Sequence, residues 1–161
     1  MFDFVDRTIK NIENRFKERH GIEAKYTYVK CPACGLIVPL MQTAICSNCR
    51  VPLVLDQPAS IILQRIHDPQ YVPSKKRHHE FNVFINNRYC GQIKHFQTLT
   101  FLLPYGSYQF RVESGIDRKC NQPVITLSQR NSLACLQLYE KRGLLMTSFV
   151  LKSVPPSGMQ S

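Results

Sequence analysis

The sequence predicts a mainly β protein: an N-terminal amphipathic helix, a small metal-organised module, and an antiparallel β-sandwich of about eight strands. Three observations predict it. Four cysteines fall into two close pairs, Cys31/Cys34 and Cys46/Cys49. From Phe81 onward, short runs of alternating apolar residues are separated by Gly, Pro and Asn turns. Ahead of the cysteines, apolar residues recur at helical spacing. The expected boundaries are helix 1–21, metal module 22–57, sandwich 58–153 and a disordered tail over 154–161.

The helix is read from Phe2, Val5, Ile9, Ile12 and Phe16, whose 3, 4, 3, 4 spacing makes a heptad-like stripe. Asp3 and Asp6 suit the positive end of its dipole, and Arg15, Lys17 and Arg19 the negative end. Gly21 is a C-terminal stop. The stripe is too short to define a coiled coil. Docking on the chain's own β structure, self-association or partner binding, and a membrane surface all remain open for it.

The metal module is read from Cys31-Pro-Ala-Cys34 and Cys46-Ser-Asn-Cys49. Each CxxC brings two thiolates to one side of a tight turn, and two facing turns complete a tetrahedral S4 cage. Softness and geometry favour one Zn2+ over magnesium or calcium. Four thiolates leave no position for water or substrate, so the ion is structural. Disulfides or a redox CxxC are the competing reading, but no βαβ pattern accompanies these cysteines. Pro32 stiffens the first turn, and Gly35 supplies positive φ just past it. Ala24–Val29 leads in as a strand, and residues 36–40 and 51–55 read as short apolar strands with one face to bury. So small a module draws its folding free energy from the metal, on the order of 10–16 kcal/mol for structural zinc peptides.

The CPxCG string resembles the zinc-ribbon family over about residues 26–55. The resemblance implies a small β module that makes contacts with protein or nucleic acid. Arg50 stands where the second turn would carry a glycine, a departure that weakens subfamily placement but not the metal assignment.

Asp56-Gln57-Pro58 reads as a linker and residues 61–66 as the first sandwich strand. A long polar loop follows, containing Lys75-Lys76-Arg77-His78-His79. Phe81, Val83 and Ile85 alternate, Asn86-Asn87-Arg88 turns, and residues 89–94 return. Leu99, Phe101 and Leu103 alternate next. Pro104-Tyr105-Gly106-Ser107 turns into Tyr108, Phe110 and Val112. Further strands are expected at 123–128, 132–139 and 144–152. The strings Phe81–Gly91 and Leu103–Val112 resemble PEGA-like small β-sandwich domains. That resemblance implies a non-catalytic accessory domain, often outside the cytoplasm.

The formal charge is +10. Residues 1–57 carry eight Lys/Arg against six Asp/Glu, residues 58–80 four against two, and residues 81–161 nine against three. The excess thus lies on the C-terminal half, where it favours an anionic partner such as nucleic acid. Lys75, Lys76, Arg77, Arg118, Lys119, Lys141 and Arg142 are the candidate phosphate contacts, Arg130 being a further turn cation. A solvated edge-protecting loop is the plainer role for 75–79. Phe84, Tyr89, Phe96, Tyr105 and Tyr108 suit sandwich core more often than base stacking, with Tyr105 the exception because it sits in a turn. Cys90 and Cys135 read as small buried hydrophobes. Cys120, beside Arg118 and Lys119, would be activated if exposed, but with no base-and-orienter set evident it reads as inert. His20, His67, His78, His79 and His95 form no metal spacing.

No Gly-rich phosphate loop, HExxH or catalytic triad is visible, so no enzyme activity is expected. No 18-residue apolar run or signal peptide is read, and seven cysteines with four in a metal site point to a reducing compartment, the cytoplasm. The functional expectation is a non-enzymatic adaptor or assembly subunit. It would bind protein, or itself, through Phe2, Val5, Ile9, Ile12, Phe16 and the ribbon. The alternative is a nucleic-acid-binding protein using the basic loops.

Overall fold

The computed structural model describes residues 25–65, 80–94, 97–114, 118–119, 122–142 and 147–155. The expected helix over 1–21, the Lys75–Arg77 loop, Cys120, the five histidines, Phe96 and residues 156–161 of the expected tail lie outside them. Eleven strands occur among the described residues: β1 Lys25–Lys30, β2 Ile37–Pro39, β3 Ala59–Arg65, β4 Phe81–Ile85, β5 Arg88–Ile93, β6 Thr98–Leu103, β7 Gly106–Ser114, β8 Arg118–Lys119, β9 Val124–Leu127, β10 Leu133–Arg142 and β11 Thr147–Val154. No described helix is long and apolar enough to cross a membrane.

The strands build two sheets. The larger runs β11-β10-β3-β6-β1-β2, and the smaller runs β5-β4-β7-β8, with β9 also paired to β7. β8 and β9 pair with successive stretches of β7, at Glu113–Ser114 and at Gly106–Gln109. Strand alternation decides what is buried. Ala59, Ile61 and Leu63 of β3 and Leu99, Phe101 and Leu103 of β6 face inward. They meet Phe81, Val83 and Ile85 of β4 and Tyr108, Phe110 and Val112 of β7 in one core. Phe101 meets Phe110 edge-on across the two sheets, with centroids 5.7 Å apart.

Turn chemistry fixes the register. Asn86 and Asn87 have φ of 51° and 64°, the left-handed pair that a two-residue hairpin needs between β4 and β5. The backbone N–H of Gln109 donates to Asn86 Oδ1 at 2.9 Å, tying this turn to β7. At the β6–β7 corner, Tyr108 donates its hydroxyl to the carbonyl of Pro104 at 2.7 Å.

Three details correct the sequence reading. The sandwich is not wholly antiparallel, because β3 pairs parallel with β10 and β1 parallel with β6. Period-2 alternation identifies a strand but says nothing of its neighbour's direction. A parallel partner needs a long connection, and here β4 to β9 intervene between β3 and β10. Residues 51–55 do not form a strand; only an Ile45–Pro52 bridge occurs there. Pro52 has no N–H to donate, and Val51 O and Leu53 N already bond to Cys46 and Ala44. Val154, expected in the tail, closes β11.

Candidate metal centre

β1 carries the chain from the large sheet directly into Cys31. Its alternation serves two cores. Tyr28 points into the sandwich and stacks on Phe101 at 5.2 Å, while Val29 packs with Cys31, Val38, Cys46 and Leu53. Leu102, on the outward face of β6, packs against this second cluster. The cysteine turns therefore sit on the outside of the large sheet, and β1 and β2 are its last two strands.

The two turns repeat one hydrogen-bond pattern. Gly35 N donates to Cys31 O at 3.0 Å, and Arg50 N to Cys46 O at 2.9 Å. Cys31 N donates to Leu36 O at 2.8 Å, and Cys46 N to Val51 O at 2.9 Å. Both turns need a left-handed residue after the second cysteine: Gly35 has φ 74° and Arg50 has φ 63°. The missing glycine is thus replaced by a strained arginine, not by a different turn.

The four sulfurs all lie within 4.8 Å of one another. Cys31 and Cys49 Sγ are 3.5 Å apart, and Cys34 and Cys46 Sγ 3.7 Å. A tetrahedral ion with metal–sulfur bonds of about 2.3 Å sets sulfurs roughly 3.8 Å apart. The donor set therefore fits one metal ion, and all four thiols are free rather than disulfide-bonded. Cys31 and Cys46 are buried, and Cys34 and Cys49 partly so.

Acidity follows the same geometry. The Leu36 N–H pulls the Cys34 thiol down to about 6, against the effect of burial and with help from Asn48, Cys31 and Cys46. Cys46 is lowered chiefly by the N–H of Cys49. At Cys49 the Val51 N–H acts to lower the value, but burial and the neighbouring sulfurs outweigh it and push the thiol up to about 11. Four sulfurs this close cannot all carry charge alone, and a divalent cation removes that conflict. Acid opposes metal binding here, because protons compete for the same sulfurs.

The other candidates fall elsewhere. Arg118 and Lys119 form β8, while Lys141 and Arg142 end β10 beside Ser148 and Thr147 of β11. β6 turns at once into β7 beside the metal end, so β7 finishes at the opposite end, where β8 joins it. β10 runs parallel to β3 toward that same end, and β8 approaches β11. The fold thus gathers both basic pairs at the end remote from the cysteines. Arg130 lies apart from them, in the exposed turn between β9 and β10.

Cys135 is buried, and burial raises its thiol. Cys90 packs partly against the core, and burial lifts it to about 11. Tyr108 is core and Tyr105 is exposed, as read from the sequence. Phe84 and Tyr89 correct the core assignment. They face each other on the outer side of the small sheet, and Tyr89 is 56% exposed. A bulge between Val83 and Phe84 reverses the alternation of β5 and turns Tyr89 outward. The sequence reading also missed Arg111, whose guanidinium lies 4.2 Å over the Phe84 ring. Its alternation with Phe110 and Val112 was the available signal. No protein-family model, curated protein or solved structure matches this chain.

Proposed function

We propose that this protein is a non-enzymatic interaction module, an adaptor or assembly subunit, held by one structural Zn2+ on Cys31, Cys34, Cys46 and Cys49. The observation that carries the reading is the surface around the cysteines. Met41, Ile45, Val51, Val54 and Leu55 are exposed, while the module's own core is closed by Val29, Val38 and Leu53. Apolar side chains concentrated around a metal site with no open coordination position suit a protein partner or a second copy. A four-sulfur site offers no Lewis-acid position, which supports a structural role. The test is metal content and sedimentation of the full chain. We expect one zinc per chain and concentration-dependent association that Val54→Asp with Leu55→Asp abolishes while zinc is retained. Identical sedimentation of the two proteins at all concentrations, with any added partner, counts against it.

A second reading is nucleic-acid binding, favoured by the convergence of Arg118–Lys119 and Lys141–Arg142 at one end. Replacing all four with Ala should weaken binding to every sequence and flatten its salt dependence, each lost duplex phosphate contact removing about 0.9 from the log–log slope. An unchanged slope removes this reading.

A further inference from the structure

The outer face of the small sheet carries a row of three side chains that the metal site does not use. Register places Tyr89 of β5 beside Phe84 of β4, and Phe84 beside Arg111 of β7. The two rings meet edge-on at 5.8 Å. The Arg111 guanidinium lies over Phe84 and is held there by Glu113 at 3.1 Å. One row nearer β8, Gln92 donates to Asn82 at 3.1 Å, and Glu113 follows in register with Lys119.

We infer that this face binds single-stranded nucleic acid, with one base stacking on Tyr89 and the next on the guanidinium plane of Arg111. Every base has a π face, and aromatic rings and Arg planes are the surfaces on which unpaired bases lie. Strands are about 4.8 Å apart, so Tyr89 and Arg111, two strands apart, stand within a stretched dinucleotide of each other. The Asn82–Gln92 amide pair supplies donors and acceptors for base edges. Charge decides between a nucleic acid and a neutral sugar ring, which also stacks on tyrosine. Residues 81–161 carry nine Lys/Arg against three Asp/Glu, and the carboxylates beside this face are each tied to a cation, Glu113 to Arg111 and Glu80 to Lys94. β8, with Arg118 and Lys119, borders the face where a phosphate backbone would leave it. This deepens the nucleic-acid reading above, since it adds base contacts to a charged end.

The chain has no tryptophan but seven tyrosines, so quenching of tyrosine emission is assigned to the face by its loss in the Tyr89→Ala variant. The experiment titrates the full chain, in zinc-containing buffer near 0.15 M salt, with a 12-nucleotide oligo(dT), an abasic strand of equal length, and chitohexaose. We expect oligo(dT) to quench emission and to bind more tightly than the abasic strand, each of the two stacked bases contributing roughly 5–100-fold. Tyr89→Ala, exposed enough to leave folding intact, and Arg111→Lys, which keeps charge but loses the plane, should each remove the share of one stacked base. Equal binding of the two strands, unaffected by Tyr89→Ala, overturns the inference. If the Arg118/Lys119/Lys141/Arg142 variant then still loses affinity, the charged-end reading survives alone. Quenching by chitohexaose but not by oligo(dT) also overturns it, in favour of a sugar platform.

Discussion

Arg50 occupies a left-handed backbone position that its first-turn counterpart gives to Gly35. An L-residue there costs about 1–2 kcal/mol, against roughly 0.5–1 kcal/mol for the extra freedom of an unfolded glycine. Arg50→Gly should therefore stabilise the module by about 0.5–1 kcal/mol. Competition with a zinc chelator reads this as slower metal loss, and faster loss would show that the arginine side chain holds the turn. Cys90 gives a pH dependence. Burial raises its thiol to about 11 from an ordinary value of 9.0. The folded chain keeps the proton between those values while the unfolded chain releases it. Its contribution is whole below pH 9 and is lost as pH rises toward 11. Tyr28, Tyr108 and Cys135 are raised by burial too and add in the same direction. Urea midpoints at pH 8 and pH 10.5 should fall less for Cys90→Ala than for the native chain.

At the scale of elements, β1 and β5 are fitted to each other through Gly91. A Cβ there would collide with the Tyr28 hydroxyl and lie 3.0 Å from Cζ of the same ring. Gly91→Ala should cost about 1–3 kcal/mol, the usual penalty of overpacking. Tyr28→Phe should return part of that loss by removing the nearest atom. No recovery in thermal melts of the double variant would mean that the backbone of β5 is the source of the cost. These elements also show what a chain reveals of itself. The cysteine turns were legible because each is four residues long and their separation is short. The strands of residues 81–112 were legible because alternation and Asn or Gly turns are local signals. The β1–β6 pairing was not, since its partners lie some 70 residues apart in the chain. Tyr89 was misread because Tyr89, Gly91 and Ile93 share parity in the sequence, and a single bulge reverses it.

For the whole molecule, the large sheet is continuous from β11 through the sandwich to β2. Metal removal should therefore be felt beyond the cysteines. With chelator present, protease should cut first within residues 31–55. The sandwich should then melt several degrees lower, since about 2–4 °C accompanies each kcal/mol at this size. First cleavage within residues 31–55 with an unchanged melting temperature of the sandwich would show two independent units.

The place of β1 also orders the protein's birth. All four sulfurs have been synthesised by Cys49, whereas β6, the parallel neighbour of β1, begins at Thr98. At roughly 5–20 residues per second, a ribosome takes several seconds to cover that gap. The cysteine turns can thus capture their ion on the nascent chain while the slot for the Tyr28 ring does not yet exist. The sandwich then assembles against an edge already made rigid, so metal supply during translation should govern the yield of folded protein.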